Sequence, residues 1–338
     1  MTQARMPSAT ATPLLAVAGL NVAFRNRGAE LPVVRDISFE VQRGEIYAVI
    51  GESGSGKSTL AQAVMGLLQS QARTTGGIAL DGKDIQGLRA DARRRLCGER
   101  MALISQDALA ALNPCTTVGY QIAETLMVHR GTSRREAMKR AVELLGLTGI
   151  PSPAERAAHY PHQFSGGMRQ RALIAMALAL EPDLLIADEP TTALDATIKA
   201  QILQLLLRLR DQLGMAILVV THDMGVVAKM ADRMLVMYAG RAVEIGPVMD
   251  VFDAPAHPYT RALLNAVPRL DHTGEPLQAI AGAPPSPQRL PAACAFHPRC
   301  PLAAPRCASE SPAVIQFDDG RSSLCHFTPE EVAHAQHS

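Results

Sequence analysis

The residues best suited to chemistry in this chain form the stretch GESGSGKST, from Gly51 to Thr59. This stretch fits the pattern G-x-x-x-x-G-K-[ST]. In such a turn, successive backbone N–H groups, the start of the following helix and the Lys57 ammonium together suit a polyphosphate, while the Ser58 hydroxyl suits Mg²⁺. The predicted nucleotide-binding residues of the stretch are Gly51, Ser53, Gly54, Gly56, Lys57, Ser58 and Thr59.

Two carboxylates end a second apolar run, LLIADE, which extends from Leu184 to Glu189. Consecutive branched apolar residues predict a parallel strand that is buried on both faces, and such strands deliver functional residues at their carboxyl ends. Asp188 suits a Mg²⁺ ligand that acts through water, and Glu189 suits a base for an attacking water. The alternative is a pair of acids that cap a helix before Pro190, an interpretation that the nearby phosphate loop disfavours.

Two further predicted strands end in polar side chains. AILVVTH, Ala216 to His222, repeats the design of a buried strand, and its histidine is placed either to reach a γ-phosphate or to fill a structural role. Spacing alone leaves both interpretations open. MALIS, Met101 to Ser105, predicts another buried strand, which ends at Gln106.

A second helix start with bare backbone donors is predicted at SGGMRQRALIAMALAL, Ser165 to Leu180. One small polar residue and two glycines, Gly166 and Gly167, precede an apolar helical pattern. The N–H groups of such a helix start suit an anion.

The surrounding elements predict an α/β fold. EIYAVI, Glu45 to Ile50, is a strand before the glycine turn, and LAQAVMGLL, Leu60 to Leu68, has helical spacing after it. VVRDISFEV and a hairpin that turns at Asp81-Gly82 add an antiparallel layer. The periodicity is helical from Asp107 to about Phe164, so we expect a helical subdomain at about residues 107–180, inserted between two core strands.

Composition limits the possible partners and the class of protein. The chain has 338 residues, an apolar fraction of 47% and a formal net charge of +1. Such a balance gives no electrostatic footprint for nucleic acid, so we expect no nucleic-acid partner. No apolar run approaches the roughly 18 residues that would span a bilayer, so we expect the chain not to cross a membrane by itself.

Four of the six cysteines lie near the C-terminus, in the order Cys294-x5-Cys300-x6-Cys307-x17-Cys325. Because this Pro-rich stretch has few large apolar residues, a cross-link or a metal is expected to order it. Disulfides are disfavoured in the reducing compartment where ATP is used. Unconnected thiols, a four-thiolate zinc site and an iron–sulfur cluster remain open, and the spacing does not decide among them.

These motifs together resemble the ordered set of the ATP-binding subunits of ABC transporters. The set consists of the phosphate loop, Gln106, FSGGM at Phe164 to Met168, LLIADEP, ALD at Ala193 to Asp195, and His222. The resemblance is closest to the dipeptide and oligopeptide importer branch. The stretches that carry this closer resemblance are ADEPTTALDATIKAQI, VMYAGRAVEIG, HPYTRALL and the cysteine-bearing tail.

The resemblance implies a P-loop ATPase core with an antiparallel β-subdomain, an inserted helical subdomain and a small cysteine-bearing C-terminal extension. Residues 1–255 would form the ATP-binding domain and residues 256–338 the C-terminal region of the oligopeptide and dipeptide transporters. The implied function is ATP hydrolysis that drives import of dipeptides or oligopeptides. Import of nickel or another small solute, and a non-transport ABC-type ATPase, are the alternatives.

The resemblance also implies partners and a location. The partners would be a second ABC ATPase subunit in a heterodimer, two membrane permeases and an extracytoplasmic peptide-binding protein. The chain would be peripheral, on the cytoplasmic face of the inner membrane. The implied cofactors are ATP, Mg²⁺ and a 4Fe–4S cluster on Cys294, Cys300, Cys307 and Cys325, with zinc as the alternative.

Individual roles follow from the same resemblance. Glu189 would polarise the water, His222 would contact the γ-phosphate, and Gln106 would sense the metal and the water. Phe24 would stack on adenine. A separate group would face the nucleotide of the opposite subunit or the dimer seam, and it consists of Ser165, Gly166, Gly167 and Asp195.

Two departures from the family pattern affect these expectations. The usual LSGGQ signature has Phe164 and Met168 in its first and last places, which leaves the backbone anion site intact but puts the contacts of the last side chain in doubt. Asp107-Ala108 replaces the Asp-Pro that commonly follows the glutamine in related importers.

Overall fold

The computed structural model describes residues 12–26, 29–68, 71–192, 194–266 and 280–334. Two β-sheets and the helices that pack on them make up this part of the chain. The strands are β1 (Leu15–Asn26), β2 (Ala29–Val41), β3 (Ile46–Ile50), β4 (Ala72–Leu80), β5 (Lys83–Asp84), β6 (Met101–Ile104), β7 (Leu184–Asp188), β8 (Ala216–Thr221), β9 (Arg233–Tyr238), β10 (Arg241–Pro247), β11 (Val314–Gln316) and β12 (Ser322–Leu324).

The helices follow in the same chain order. They are α1 (Lys57–Met65), α2 (Ala90–Glu99), α3 (Ala108–Ala111), α4 (Val118–Arg130), α5 (Arg134–Leu147), α6 (Pro153–Arg156), α7 (Gly166–Ala177), α8 (Ala196–Leu213), α9 (Met224–Met230), α10 (Val248–Asp253), α11 (Pro258–Asn265), α12 (Pro305–Ser309) and α13 (Pro329–His334). Single 3-10 turns occur at Pro161–Gln163 and His297–Arg299.

The core sheet has the strand order β11-β12-β10-β9-β3-β8-β7-β6. The strands from β9 to β6 are parallel, whereas β10, β12 and β11 are antiparallel additions at one side. Every residue of β3, β7 and β8 is buried, as their uninterrupted apolar runs predict for strands covered on both faces. The parallel arrangement brings the carboxyl ends of these strands to one edge of the sheet, which is where the predicted polar residues follow.

A smaller antiparallel sheet has the order β2-β1-β4-β5, and it shares one apolar cluster with α1 and with strands of the core sheet. The predicted hairpin turn lies between β4 and β5, where Asp81 and Gly82 have φ values of 54° and 73°. Two consecutive left-handed residues suit the twist of a tight hairpin. The predicted antiparallel layer is therefore confirmed.

Helices α3 to α7 separate β6 from β7 in the chain, although these two strands pair side by side. Helices α4, α5 and α7 share one apolar cluster with α8, and Ile122, Leu144 and Leu173 are among its buried members. Their exposed faces carry the charged residues, as amphipathic patterns predict. Within the ranges that the structure describes, no helix combines the length and the apolar character needed to cross a bilayer.

Residues 280–334, called the C-terminal segment, pack on the core sheet through apolar contacts. Phe296 is 1% exposed, and its ring centroid lies 5.2 Å from that of Tyr238 and 5.4 Å from that of Tyr259. Strand β12 pairs with β10 at Ser323 and Glu244. A buried aromatic cluster thus anchors this segment, for which the sequence analysis expected a cross-link or a metal to supply the order.

Candidate functional site

The glycine turn between β3 and α1 is held against neighbouring backbone. Gly54 and Gly56 have φ values of 79° and 104°, which favour glycine. A Cβ atom on Gly51 would lie 2.2 Å from the carbonyl oxygen of Met237, and one on Gly56 would lie 2.6 Å from that of Val33. The glycine pattern that the sequence shows is thus required by close backbone approach from β9 and β2.

Lys57 begins α1 and is 6% exposed. Its Nζ atom donates to the carbonyl oxygens of Gly51 at 2.8 Å and Glu52 at 2.9 Å. Burial lowers the pKa of Lys57, and this shift is opposed by the charges of Glu189, Asp188 and Glu52. A cation therefore lies inside the loop, within electrostatic reach of the carboxylates at the end of β7.

Asp188 ends β7 and faces the first turn of α1. Its Oδ1 atom accepts a hydrogen bond from the Ser58 hydroxyl at 3.1 Å. Burial raises the pKa of Asp188, with the Glu189 charge adding to the increase, although the Ser58 hydrogen bond and the Lys57 charge oppose it. Two of the three predicted metal ligands, Ser58 and Asp188, thus have neighbouring oxygen atoms, and oxygen is the ligand type that Mg²⁺ prefers.

Glu189 follows β7, and three side chains contact its carboxylate. His222 Nδ1 lies 2.9 Å from Oε1, Thr192 Oγ1 donates to Oε2 at 2.7 Å, and Gln106 Nε2 donates to Oε2 at 3.3 Å. The backbone of Glu189 has a φ of 49°, a conformation that non-glycine residues rarely adopt and that is enriched at functional sites. The ends of three parallel strands, β6, β7 and β8, supply this cluster.

The Glu189 carboxylate is held in its charged form. Partial burial raises the pKa of Glu189, but the hydrogen bonds from Thr192 and His222 and the charges of His222 and Lys57 outweigh it, so the net pKa is lowered. The side chain is 14% exposed, which leaves a limited opening to solvent. The arrangement can accept a proton from a water molecule that hydrogen-bonds to the carboxylate.

The second predicted group lies where α7 and α8 begin. Ser165 accepts a hydrogen bond from the Met168 N–H at 3.3 Å and caps α7, while Asp195 accepts from the Ile198 N–H at 2.9 Å and caps α8. A Cβ on Gly167 would lie 2.7 Å from Ile198 Cγ2, so the two helices approach closely at this glycine.

The position next to Gly167 is less crowded, since a Cβ on Gly166 would have Leu194 Cδ2 as its nearest neighbour at 3.6 Å. Ala193, the first residue of the ALD motif, lies outside the described residues. Among the described residues, the second group shares no hydrogen bond with the phosphate loop or with Glu189.

Both departures from the LSGGQ pattern are apolar side chains that pack inward. Phe164 is 3% exposed in the cluster shared by the helices, and Met168 packs against the same cluster. The large first residue therefore fills core space that another apolar side chain would also fill. Met168 brings a thioether, a weak acceptor, to a position where the pattern has an amide.

Phe24 lies in β1, where it is half-buried and packs against the core under the antiparallel sheet. It pairs with Leu31 of β2, two residues before Val33, whose carbonyl oxygen faces Gly56 of the phosphate loop. The aromatic side chain is thus carried by the sheet that flanks the loop.

Comparison with known proteins decides the family. The chain is 47% identical over 320 residues to the dipeptide transport ATP-binding protein DppD of Escherichia coli, a match that covers 94% of this chain and 98% of that protein. The chain belongs to the ATP-binding family of ABC transporters. It is also 46% identical to the oligopeptide transport ATP-binding protein OppD of Salmonella typhimurium, over 98% of both chains.

Family descriptions and solved structures agree with this membership. Residues 34–192 match the ABC transporter family, and residues 243–307 match the oligopeptide/dipeptide transporter C-terminal region. The dimeric ATP-binding cassette MJ0796, solved in a post-hydrolysis state with ADP and Pi, is 28% identical with a TM-score of 0.62, and the match covers 69% of this chain and 98% of that one. The fold is therefore that of an ABC ATPase cassette.

The predicted 4Fe–4S cluster and its zinc alternative are overturned. The described residues contain no group of three or more His, Cys, Asp or Glu side chains that could hold a metal ion. The six cysteines form no disulfide bond. The names of the similar transport proteins describe ATP-binding subunits and mention no cluster.

The surroundings of the four cysteines give the physical reason. Cys294, Cys300, Cys307 and Cys325 line one cavity of about 10 Å³, which is no larger than a single water requires. Burial raises the pKa of Cys294, that of Cys300 to about 12 and that of Cys325 to about 11, so the apolar packing favours the neutral thiol in each of the three. Apolar packing places them together.

Two sets of contacts at the site were not predicted from the sequence. Thr192 orients Glu189, and its only sequence signal is a hydroxyl residue three places after the carboxylate in DEPTT. Arg299 and Tyr259 contact Glu52 of the phosphate loop. Arg299 is 247 residues away in the chain, and no local pattern indicates such a contact.

Proposed function

We propose that this chain is the ATP-hydrolysing, energy-coupling subunit of an importer for dipeptides or oligopeptides. The observation that carries the proposal is the Glu189 carboxylate, which Gln106, Thr192 and His222 hold at the strand ends beside the phosphate loop. The whole-length similarity to dipeptide and oligopeptide transport ATP-binding proteins supports the peptide cargo. The match to the C-terminal region of the same transporter class supports it independently of the ATP-binding motifs.

In the proposed reaction, water attacks the γ-phosphorus of ATP. A new oxygen–phosphorus bond forms, the bond to the bridging oxygen of the β-phosphate breaks, and Glu189 accepts the proton from the water. Lys57 would stabilise the charge on the β- and γ-phosphates, and His222 would contact the γ-phosphate. Such positioning and charge stabilisation supply most of the catalysis in phosphoryl transfer.

Three side chains would hold Mg²⁺ in this site, namely Ser58, Asp188 and Gln106. The hydroxyl and carboxylate oxygens of the first two lie 3.1 Å apart, and this hard-oxygen donor set fits the ion. When bound, Mg²⁺ would neutralise part of the phosphate charge. The backbone of the loop would hold the remaining phosphate oxygens, with Phe24 stacked on the adenine.

We further propose that the chain works opposite a second, non-identical cassette. Ser165, Gly166 and Gly167 would cap the nucleotide of the partner, with Asp195 at the seam. The helix-capping geometry at the starts of α7 and α8 and the close approach of these helices at Gly167 support a preformed anion site there. The apolar Met168 supports unequal half-sites.

The remaining assembly would be two membrane permeases and an extracytoplasmic peptide-binding protein, with this chain peripheral on the cytoplasmic face. Residues 1–255 would form the ATP-binding domain, with a helical subdomain at about 107–180 that passes motion to the permeases. Residues 256–338 would form the small, cysteine-bearing C-terminal extension. Because hydrolysis would need both half-sites closed, ATP binding would be coupled to domain approach.

Reconstitution tests the proposal. The chain, its partner cassette and the permeases are placed in liposomes that enclose ATP, and peptide uptake and phosphate release are measured with the binding protein outside. We expect peptide-stimulated ATP turnover that depends on both cassettes. ATP turnover that does not respond to peptide would contradict the transport assignment. Full activity from this chain without a second cassette would contradict the heterodimer.

A further inference from the structure

Glu52 occupies a variable position of the phosphate-loop motif, and the motif assigns it no role. Its carbonyl oxygen accepts a hydrogen bond from Lys57 Nζ at 2.9 Å. Its backbone N–H donates to the hydroxyl of Tyr259 in α11 at 2.9 Å. One loop residue thus contacts both the phosphate-binding lysine and the C-terminal part of the chain.

The Glu52 carboxylate is paired with a buried guanidinium. Arg299 Nη1 donates to Oε2 at 2.7 Å and Nη2 donates to Oε1 at 3.0 Å, which is a bidentate arrangement. The Arg299 side chain is 4% exposed, whereas that of Glu52 is 25% exposed. A planar fork held at two points fixes the orientation of the carboxylate as well as its charge.

Arg299 makes further contacts through its Nε atom and through the faces of its guanidinium. Nε donates to the carbonyl oxygen of Ala281 at 2.8 Å. The guanidinium carbon lies 5.8 Å from the ring centroid of Tyr238 and 6.0 Å from that of Phe296. The hydrogen bond to Glu52 raises the pKa of Arg299, so the guanidinium stays charged.

Tyr259 is positioned just as firmly. It is fully buried, and its ring centroid lies 4.6 Å from that of Tyr238. Because the ring cannot move without disturbing the aromatic cluster, its hydroxyl presents a fixed acceptor to the loop.

We propose that Arg299 and Tyr259 are positioning residues of the phosphate loop, which hold Glu52 so that the loop and Lys57 are preformed for ATP. The proposal rests on the ATP site described above. It has two physical parts. The contacts fix the backbone that would otherwise lose conformational entropy on binding, and Arg299 neutralises a carboxylate that would repel the polyphosphate.

The test compares full-length variants by equilibrium binding of a fluorescent ATP analogue and by ATP turnover in the reconstituted complex. For Arg299→Ala we expect the dissociation constant and the KM for ATP to rise by at least about tenfold, with kcat within about threefold, because misplacement of a loop weakens binding before chemistry. Tyr259→Phe removes only the hydroxyl and should raise KM by about threefold to tenfold. Thermal unfolding is recorded for each variant.

A second substitution separates repulsion between the Glu52 carboxylate and ATP from general destabilisation of the fold. In the Arg299→Ala chain, adding Glu52→Gln removes the unpaired carboxylate and should recover the part of the lost ATP affinity that is due to repulsion, which is a non-additive result. A tail that is merely destabilised would show no such recovery. If Arg299→Ala does not fold, Tyr259→Phe carries the test, and an unchanged KM in that variant overturns the proposal.

Arg321→Ala is the matched control. Arg321 is also a well-buried arginine of the C-terminal segment, but it binds the Asp319 carboxylate and the carbonyl oxygens of Asp250 and Ala254 instead of the loop. Equal losses of ATP affinity in Arg321→Ala and Arg299→Ala would overturn the positioning role. A wild-type chain that binds no ATP would instead refute the proposed function, so the two failures are distinguishable.

Discussion

The replacement Glu189→Gln tests the assignment of the general base most directly. Glutamine keeps the length of the side chain, and its carbonyl oxygen still accepts one of the hydrogen bonds that His222 and Thr192 make to the carboxylate. Its amide nitrogen cannot accept the other. The lost bond costs about 1 kcal/mol of folding stability, which a cassette of this size tolerates.

The effect on turnover should be far larger than the effect on folding. Help from a general base contributes at least about a hundredfold, which corresponds to about 3 kcal/mol of the activation free energy. ATP binding should be retained or strengthened, because the substitution removes a negative charge beside the phosphate site. The assay pairs phosphate release by the reconstituted complex with binding of a fluorescent ATP analogue.

Glu181→Gln provides a matched control for this experiment. Glu181 also has a left-handed backbone, with a φ of 57°, but its side chain is 54% exposed and pairs with Arg140 at the surface. The same chemical change there should leave turnover within about twofold, as expected for a surface ion pair. If Glu189→Gln retains turnover close to the wild-type rate while binding ATP normally, Glu189 is not the base.

Three further predictions follow from the same geometry. Lys57→Ala should weaken ATP binding itself, by at least about tenfold in the dissociation constant, since a charge-assisted contact to phosphate is lost. Gly167→Ala should lower the unfolding temperature because its Cβ would lie 2.7 Å from Ile198 Cγ2, whereas Gly166→Ala, with 3.6 Å to its nearest neighbour, should leave it unchanged or higher. Burial lowers the pKa of His257 from 6.5 to about 3, so its contribution to stability is present above pH 6.5 and is lost as the pH falls. Denaturant titrations should therefore show the wild type losing about 1.2 kcal/mol relative to His257→Asn between pH 6 and pH 5.

The nucleotide side of the site was predictable because its signals are local. The apolar runs before Gly51, Asp188 and His222 each match an observed buried strand to within one residue at either end. Parallel strands that are covered on both faces need such runs, and their carboxyl ends converge at one edge. The polar residues that follow these strands could therefore be expected to lie together, although they are far apart in the sequence.

The C-terminal segment was not predictable in the same way. Strands β11 and β12 have three residues each, which is too short for a periodic pattern to emerge. The four cysteines favoured a metal site in the sequence analysis. In the structure, the side chain of Phe296 anchors the segment by packing against Tyr238 and Tyr259. Long-range packing of one side chain leaves no trace in spacing, so the contact of Arg299 with the loop was invisible as well.

The proposed positioning of the phosphate loop by Arg299 and Tyr259, together with the proposed second half-site, implies an order of events. Arg299 and Tyr259 hold the phosphate loop from within the same chain, so the loop needs no partner to become ordered. The group at Ser165 to Gly167, in contrast, shares no hydrogen bond with Glu189 among the described residues, and in the proposed heterodimer it would act on the nucleotide of the other cassette.

ATP should therefore bind the isolated chain, and the second cassette should act mainly on the chemical step. Titration of the partner cassette should raise kcat by a much larger factor than it lowers the dissociation constant for ATP, since a preformed loop has already lost the conformational entropy that binding would otherwise cost. A partner that tightens ATP binding by orders of magnitude would mean that the phosphate loop becomes ordered only at the interface. The contacts of Arg299 and Tyr259 with the loop would then be insufficient to preform it.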